Sequence, residues 1–129
     1  MKSSRRPQTR RAFTLVEIMI IVALIGLLAA LMAPSFIKVR KQSQGKRIVN
    51  DARIADAAIN SWALETGQKD GNPIDLAAAG SYTKTGAMPT NDVLGNPYDF
   101  SAGVGTNEVQ ISPGTKAALS GVAIDWGPY

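Results

Sequence analysis

The sequence predicts an α+β fold, in which a long N-terminal helix packs on a small antiparallel β-sheet near the C-terminus. Three observations support it: an uninterrupted apolar run, an amphipathic segment of helical period after it, and short alternating segments separated by glycine and proline. They divide the chain into four parts: a basic leader (residues 1–12), a hydrophobic helix of membrane-spanning length (13–34), an amphipathic helix of a globular domain (35–66), and a loop region with the sheet (67–129).

The leader holds much of the positive charge. Of the 14 basic residues, five precede Phe13 and no acidic residue does, although the formal net charge of the 129-residue chain is only +4. A high isoelectric point also occurs in nucleic-acid-binding proteins. No interleaving of basic and aromatic residues follows the leader, so we expect no nucleic-acid partner. By the positive-inside rule, the leader is expected to stay in the cytoplasm.

The apolar run, residues 13–33, has the length of a membrane span. Its 21 residues form a helix of about 31 Å, close to the bilayer core of roughly 30 Å. A cleaved secretory signal has a shorter apolar region, of about 7–15 residues, and an Ala-x-Ala site. No such site ends this run, so we expect the span to be retained. Gly26 and Pro34 weaken the helix locally and allow it to bend or partly unwind.

Glu17 is an acidic residue near the start of this apolar run. An ionised side chain in the hydrocarbon core costs roughly 2.5–3.5 kcal/mol on insertion scales. Such a residue usually has a partner and a function. The alternative is an ordinary single-pass anchor, in which Glu17 reaches the lipid headgroups and has no further role.

A second apolar pattern predicts the helix of the globular domain. Its positions step by four, three, four and three, which places them on one helical face: Ile48, Ala52, Ala55, Ile59 and Trp62. Thr66-Gly67 is a typical helix end. We therefore predict one continuous helix from about Phe13 to about Glu65.

The C-terminal half predicts short elements. A helical turn is expected over residues 74–79, and three strands over residues 98–100, 108–111 and 122–126. Four aromatic residues are expected to join helix and sheet in the core: Trp62, Tyr98, Phe100 and Trp126.

Composition restricts the chemistry of the chain. It contains no cysteine and no histidine, which removes thiolate and imidazole nucleophiles and ligands. No catalytic constellation is present, so we expect no enzyme and no organic cofactor. Four residues carry oxygen ligands suited to calcium, although these residue types more often form turns: Asp92, Asn96, Asp99 and Asp125.

A resemblance rests on residues 8–36. They combine, at fixed spacing, a basic leader, a small residue, an apolar run and a proline, with these key positions: Ala12, Phe13, Thr14, Leu15, Val16, Glu17, Gly26 and Pro34. This segment resembles the N-terminus of type IV pilins and type II secretion pseudopilins, which usually have glycine where Ala12 lies. Residues 88–100, with Asp92 and Gly95-Asn96-Pro97-Tyr98, are similar to a segment of major pseudopilins, whose acidic calcium loop is not recognisable here.

The resemblance implies a filament subunit. A prepilin peptidase would cleave between Ala12 and Phe13 and methylate the new Phe13 amine. Glu17 would pair with the Phe13 amine of a neighbouring subunit, while Gly26 and Pro34 allow local unwinding. The partners implied are identical subunits, an inner-membrane assembly platform and minor pilins.

The implied location is the inner membrane, with the leader cytoplasmic and the C-terminal domain periplasmic, and then a periplasmic or extracellular filament. The alternative is a membrane-anchored periplasmic binding domain that never polymerises.

Overall fold

The computed structural model describes residues 12–105 and 108–129. Three helices are present there: α1 covers Leu15–Thr66, α2 covers Leu76–Gly80 and α3 covers Pro113–Ala118. The chain divides into two compact units, one ending at Phe36 and the other covering Ile37–Tyr129. Helix α1 contributes to both, which confirms the prediction of one continuous helix.

Both ends of α1 are capped by local sequence. At the N-terminus, the Thr14 side-chain oxygen accepts a hydrogen bond of 3.2 Å from the Glu17 amide, which satisfies one of the helix's unpaired donors. At the C-terminus, Gly67 adopts a φ of 67°, and the Gln68 amide donates to the Ala63 carbonyl at 2.9 Å. This is a Schellman ending, and it confirms the predicted stop at Thr66-Gly67.

The second half of α1 supplies the core of the globular unit. All five positions of the predicted apolar stripe are buried, and the full buried set is Gly45, Ile48, Val49, Ala52, Ala55, Ala58, Ile59, Trp62 and Ala63. Many of these side chains are small, so the loops approach the helix closely. The predicted aromatic core is also confirmed: Trp62 and Tyr98 are buried, and Phe100 and Trp126 are partly buried and pack against the core cluster.

The predicted antiparallel sheet is not found. Within the described residues, strand pairing is limited to two isolated antiparallel bridges, Asn91 with Pro97 and Asp99 with Gln110. Predicted strands 98–100 and 108–111 therefore meet, but through one residue pair only. The fold class α+β was wrong in this respect.

Local sequence explains why the strands do not extend. Residue 111 is followed at once by Ser112, whose side chain accepts from the Thr115 amide and begins α3. Pro113 has no amide hydrogen to donate to a ladder. In predicted strand 122–126, the Asp125 carboxylate accepts from the Gly127 amide at 3.0 Å, which closes a turn instead.

Helix α2 confirms the predicted helical turn and packs closely on a neighbouring loop. Asp75 caps it by accepting hydrogen bonds from the Ala77 and Ala78 amides at 3.0 and 3.1 Å. At its other end, a Cβ atom added to Gly80 would lie 2.9 Å from the Met88 amide nitrogen. Only glycine fits there, since backbone cannot move aside as a side-chain tip does.

We therefore expect Gly80→Ala to lower the free energy of unfolding by about 1–3 kcal/mol, the usual effect of overpacking. Gly114→Ala is the matched control, because its added Cβ meets only the Ser112 side-chain oxygen at 3.5 Å. We expect the control to be neutral or stabilising by up to about 1 kcal/mol. Thermal unfolding of the full chain in detergent measures both, and equal stability of the two variants would contradict the packing described.

Candidate functional site

The N-terminal part of α1 exposes an apolar surface of unusual extent. Every large apolar side chain from Phe13 to Val39 is exposed. By length and composition, α1 is the one helix in the described part of the chain that could cross a membrane. Exposed apolar patches of this size mark interaction surfaces or membrane segments. Lipid or other protein must therefore cover these residues.

The predicted cleavage-site residues lie just before this helix. Ala12 and Phe13 are outside α1, and the Phe13 side chain is 75% exposed. Their peptide bond is thus free of helical hydrogen bonds, as a protease substrate must be. Thr14 is the N-cap, and Phe13 stands in the position before it.

Glu17 lies in the first turn of α1 and is exposed. Its spacing from Thr14 is that of a capping box, Thr-x-x-Glu, of which the structure shows the Thr14 half: the Glu17 amide donates to the Thr14 side-chain oxygen. The Glu17 carboxylate lies where the helix dipole favours negative charge. The Thr-x-x-Glu spacing is the sequence signal that could have predicted Thr14 as the N-cap. Glu17 therefore stabilises the helix start in a single chain, before any partner is considered.

Gly26 and Pro34 both lie inside α1. A Cβ atom added to Gly26 would meet nothing within 4 Å, so the chain's own packing does not require glycine there. Pro34 has no amide hydrogen and removes one hydrogen bond from the helix. The helix is nevertheless continuous at both positions, and local unwinding stays a prediction for the assembled state.

Comparisons with known proteins agree on this segment. Residues 8–33 match the family described as the prokaryotic N-terminal methylation motif, which covers Ala12, Phe13, Glu17 and Gly26. The type IV major fimbrial protein FimA of Dichelobacter nodosus is 31% identical over 129 residues, which span 91% of this chain and 80% of that protein. The chain belongs to the type IV pilin family.

Other pilin relatives cover smaller shares. Fimbrial protein Q of Moraxella bovis is 25% identical over 89% of this chain and 77% of its own length. The type II secretion system core protein G of Klebsiella michiganensis is 30% identical, but over only 46% of this chain and 42% of its own length. No solved structure gave a significant match to the chain.

The calcium candidates of this pilin are engaged in local hydrogen bonds. Asp92 Oδ1 accepts from the Leu94 and Asn96 amides at 2.8 and 2.9 Å, and its Oδ2 accepts from the buried Thr115 hydroxyl. Asn96 also donates to Thr115, at 2.9 Å. The structure thus brings Asp92 and Asn96 together, as ties between the 91–97 loop and α3.

The other two candidates lie in separate turns. Asp99 accepts from the Ser101 amide at 2.8 Å, and Ser101 holds the pKa of Asp99 below its ordinary value. Asp125 closes the turn to Gly127. In the part of the chain that the structure describes, no three acidic side chains converge on a cation site. These contacts do not support calcium binding, which stays a prediction.

The pairing of the buried Glu108 with the half-buried Asp56 in the globular unit was not predicted. Glu108 is fully buried; its carboxyl oxygens accept from the Gly105 amide at 2.7 Å and the Asn60 side chain at 3.3 Å. It also shares a hydrogen bond with Asp56. Burial raises the pKa of both carboxyl groups, and the nearby Asp56 and Asp70 raise that of Glu108 further. The pair joins α1 to the segment that follows Gly105.

The pKa shifts predict how stability depends on pH. A carboxyl group with a raised folded-state pKa contributes stability at low pH, and this contribution is lost as the pH rises above the ordinary value of 4.5 through the folded-state pKa. We expect Glu108→Gln, which resembles the protonated acid, to flatten this decline and to be the more stable protein at neutral pH. Thermal unfolding across a pH series tests this, and a wild-type stability that rises from pH 5 to 8 relative to Glu108→Gln would contradict it.

Proposed function

We propose that the chain is a structural subunit of a type IV pilus-like filament, processed by a prepilin peptidase and assembled through its N-terminal helix. The observation that carries the proposal is the fully exposed apolar surface of residues 13–37 within a segment matching the N-terminal methylation family. In the unassembled subunit, lipid would cover this surface. In the filament, the same surface of neighbouring subunits would cover it.

Transfer from lipid to filament requires a directional interaction. Lipid tails are as apolar as leucine, so moving the helix between them gains little hydrophobic free energy. A charged pair with fixed geometry can supply both affinity and register. Glu17 is the acidic residue of this segment, and no further acid follows before Asp51.

Cleavage after Ala12 would create the partner for Glu17. The new Phe13 amine would lie just before the Thr14 cap, where its positive charge is disfavoured by the positive end of the helix dipole. A carboxylate from a neighbouring subunit would offset that charge. Breaking a desolvated pair by removing one partner costs about 3–5 kcal/mol, enough to enforce a single axial register.

Cleavage would also remove the five basic residues of the leader. Because five more bases follow the span within residues 38–47, the positive-inside rule favours neither orientation, and the cytoplasmic N-terminus and periplasmic globular unit of this proposal rest on membership of the pilin family. In this proposal, the peptidase acts at the cytoplasmic face of the inner membrane. An inner-membrane platform and minor pilins then assemble the subunits into a periplasmic or extracellular filament.

The named relatives belong to two kinds of system, fimbriae and type II secretion. A type II secretion pseudopilus is the second candidate, supported by the match to core protein G and by the Gly95-Asn96-Pro97-Tyr98 segment. The fimbrial proteins align over about nine tenths of the chain and core protein G over less than half, which favours the pilus. A catalytic role has no support, since the named relatives are fimbrial and secretion-system components.

Processing tests the first step of this function. We expect protein recovered from membranes that contain a prepilin peptidase to begin at Phe13 and to carry one added methyl group on its amine. Intact mass and N-terminal fragment spectra measure both. Ala12→Gly is the control for the residue before the bond, and we expect it to be processed at least as fast. A chain that keeps its leader in both versions would favour the non-polymerising membrane anchor.

One substitution at Glu17 and one at Thr14 separate the charge of Glu17 from the capping of the helix start. Glu17→Gln keeps a side chain suited to the capping box but removes the charge, so we expect filaments to be lost, with subunits remaining in the membrane. Thr14→Ala removes the cap, at a cost of about 1 kcal/mol, but leaves the charge, and we expect filaments to persist. Electron microscopy and membrane fractionation give the two readouts. Normal filaments from Glu17→Gln would rule out the ion pair.

A further inference from the structure

A dense group of basic residues follows the apolar run on the same helix. We call residues 38–47 the basic collar; its five bases are Lys38, Arg40, Lys41, Lys46 and Arg47. No acidic residue lies between Glu17 and Asp51. The function proposed above makes no use of this charge.

The collar is largely exposed and only partly engaged by the chain itself. Lys41 is half-buried and donates to the Ser120 carbonyl at 3.3 Å. Arg47 lies at 4.0 Å from Asp51, at the limit of an ion pair. Lys38, Arg40 and Lys46 are exposed and make no hydrogen bond or ion pair with the residues that the structure describes. Three cationic groups are therefore available to an external anion.

The spacing of the bases spreads them around the helix. With about 100° between successive residues, the five side chains leave α1 in directions that encircle its axis. A helix lying flat on a membrane needs its bases along one stripe. A helix that crosses the membrane meets headgroups on each of its exposed faces, and Lys38, Arg40 and Lys46 lie on different faces of α1; one face of this stretch is buried in the globular unit through Gly45, Ile48 and Val49.

The position of the collar along α1 fits the headgroup layer. Lys38 comes directly after Ile37, the last residue of the exposed apolar stretch before the first base. From Lys38 to Arg47 the helix rises by about 14 Å, which is comparable to the headgroup layer of one leaflet, roughly 5–8 Å, plus one Debye length of about 8 Å. Long basic side chains also reach back toward the interface.

We propose that the basic collar binds the phosphate groups of anionic phospholipids on the side of the membrane where the apolar run ends. The proposal rests on the membrane insertion of residues 13–37 that the proposed function includes. Anionic lipid is the chosen partner because the exposed bases Lys38, Arg40 and Lys46 follow the apolar segment directly and carry the charge opposite to that of lipid phosphate groups. Cleavage of the leader removes five bases from the other end of the span, so the collar is then the main group of basic residues next to the membrane. Anionic lipid then holds the subunit at one membrane face until the filament withdraws it.

The test measures which lipids surround the end of the apolar run. Full-length Phe36→Trp protein is reconstituted into phosphatidylcholine vesicles, with and without phosphatidylglycerol, in which one lipid at a time is brominated near its headgroup. Bromine quenches the fluorescence of the tryptophan introduced at position 36, so the loss of this fluorescence gives the relative binding of the two lipids. The parent chain supplies the background from Trp62 and Trp126.

We expect phosphatidylglycerol to bind several-fold more strongly than phosphatidylcholine, and K38Q/R40Q/K46Q to lower this preference at least about threefold. The control R53Q/K69Q/K84Q removes the same charge from exposed positions outside the collar and should keep the preference. The three collar residues make no described contact, so folding should be unaffected; matching thermal unfolding of the two variants verifies this.

Each outcome decides one point. Quenching by both lipids without preference would overturn the collar proposal and leave membrane insertion standing. No quenching by either lipid would contradict insertion, and with it the proposed function. A preference that survives K38Q/R40Q/K46Q would also overturn the proposal.

Discussion

The structure depends on one constraint: the first half of α1 has an apolar surface that is exposed in the described part of the chain. Every large apolar side chain there is exposed, and exposed apolar surfaces of this size mark interaction or membrane segments. Lipid and other subunits are the two environments that satisfy it. An apolar helix alone would not distinguish them; in our proposals, the charged groups at its ends do so, Glu17 at one end and the basic collar at the other.

The globular unit folds with fewer than a hundred residues and without a β-sheet in its described part. Its core is one face of α1, rich in alanine, which lets loops pack closely. Polar contacts then fix the loops: the Tyr98 hydroxyl donates to the Ile48 carbonyl at 3.2 Å, and Lys116 donates to the Tyr129 carbonyl at 2.6 Å. Burial raises the pKa of Tyr98 well above its ordinary value, so this tie stays protonated at physiological pH. Specific hydrogen bonds replace a continuous β-ladder.

The sequence was most informative where one local pattern decides the structure. The stripe from Ile48 to Trp62 and the Thr66-Gly67 ending predict α1 because period and capping are local properties. The sheet was predicted wrongly because alternation over three or four residues does not reveal that Ser112 caps a new helix. Glu108 was missed for a related reason: its partners Asp56 and Asn60 are distant in sequence, and no local pattern marks a buried acid. The processing residues came from family resemblance, which the comparisons support at the level of the motif.

The central claim is that residues 13–37 leave lipid to pack against their counterparts, with each Glu17 beside a neighbour's Phe13 amine. Helical reconstruction of the filament by electron cryomicroscopy tests it most directly. The account predicts a core formed by these segments, Glu17 within ion-pair distance of a neighbouring subunit's N-terminus, and any unwinding confined to the stretch between Gly26 and Pro34. A filament held together by the globular units, with the apolar segments still exposed or Glu17 facing solvent, would contradict it.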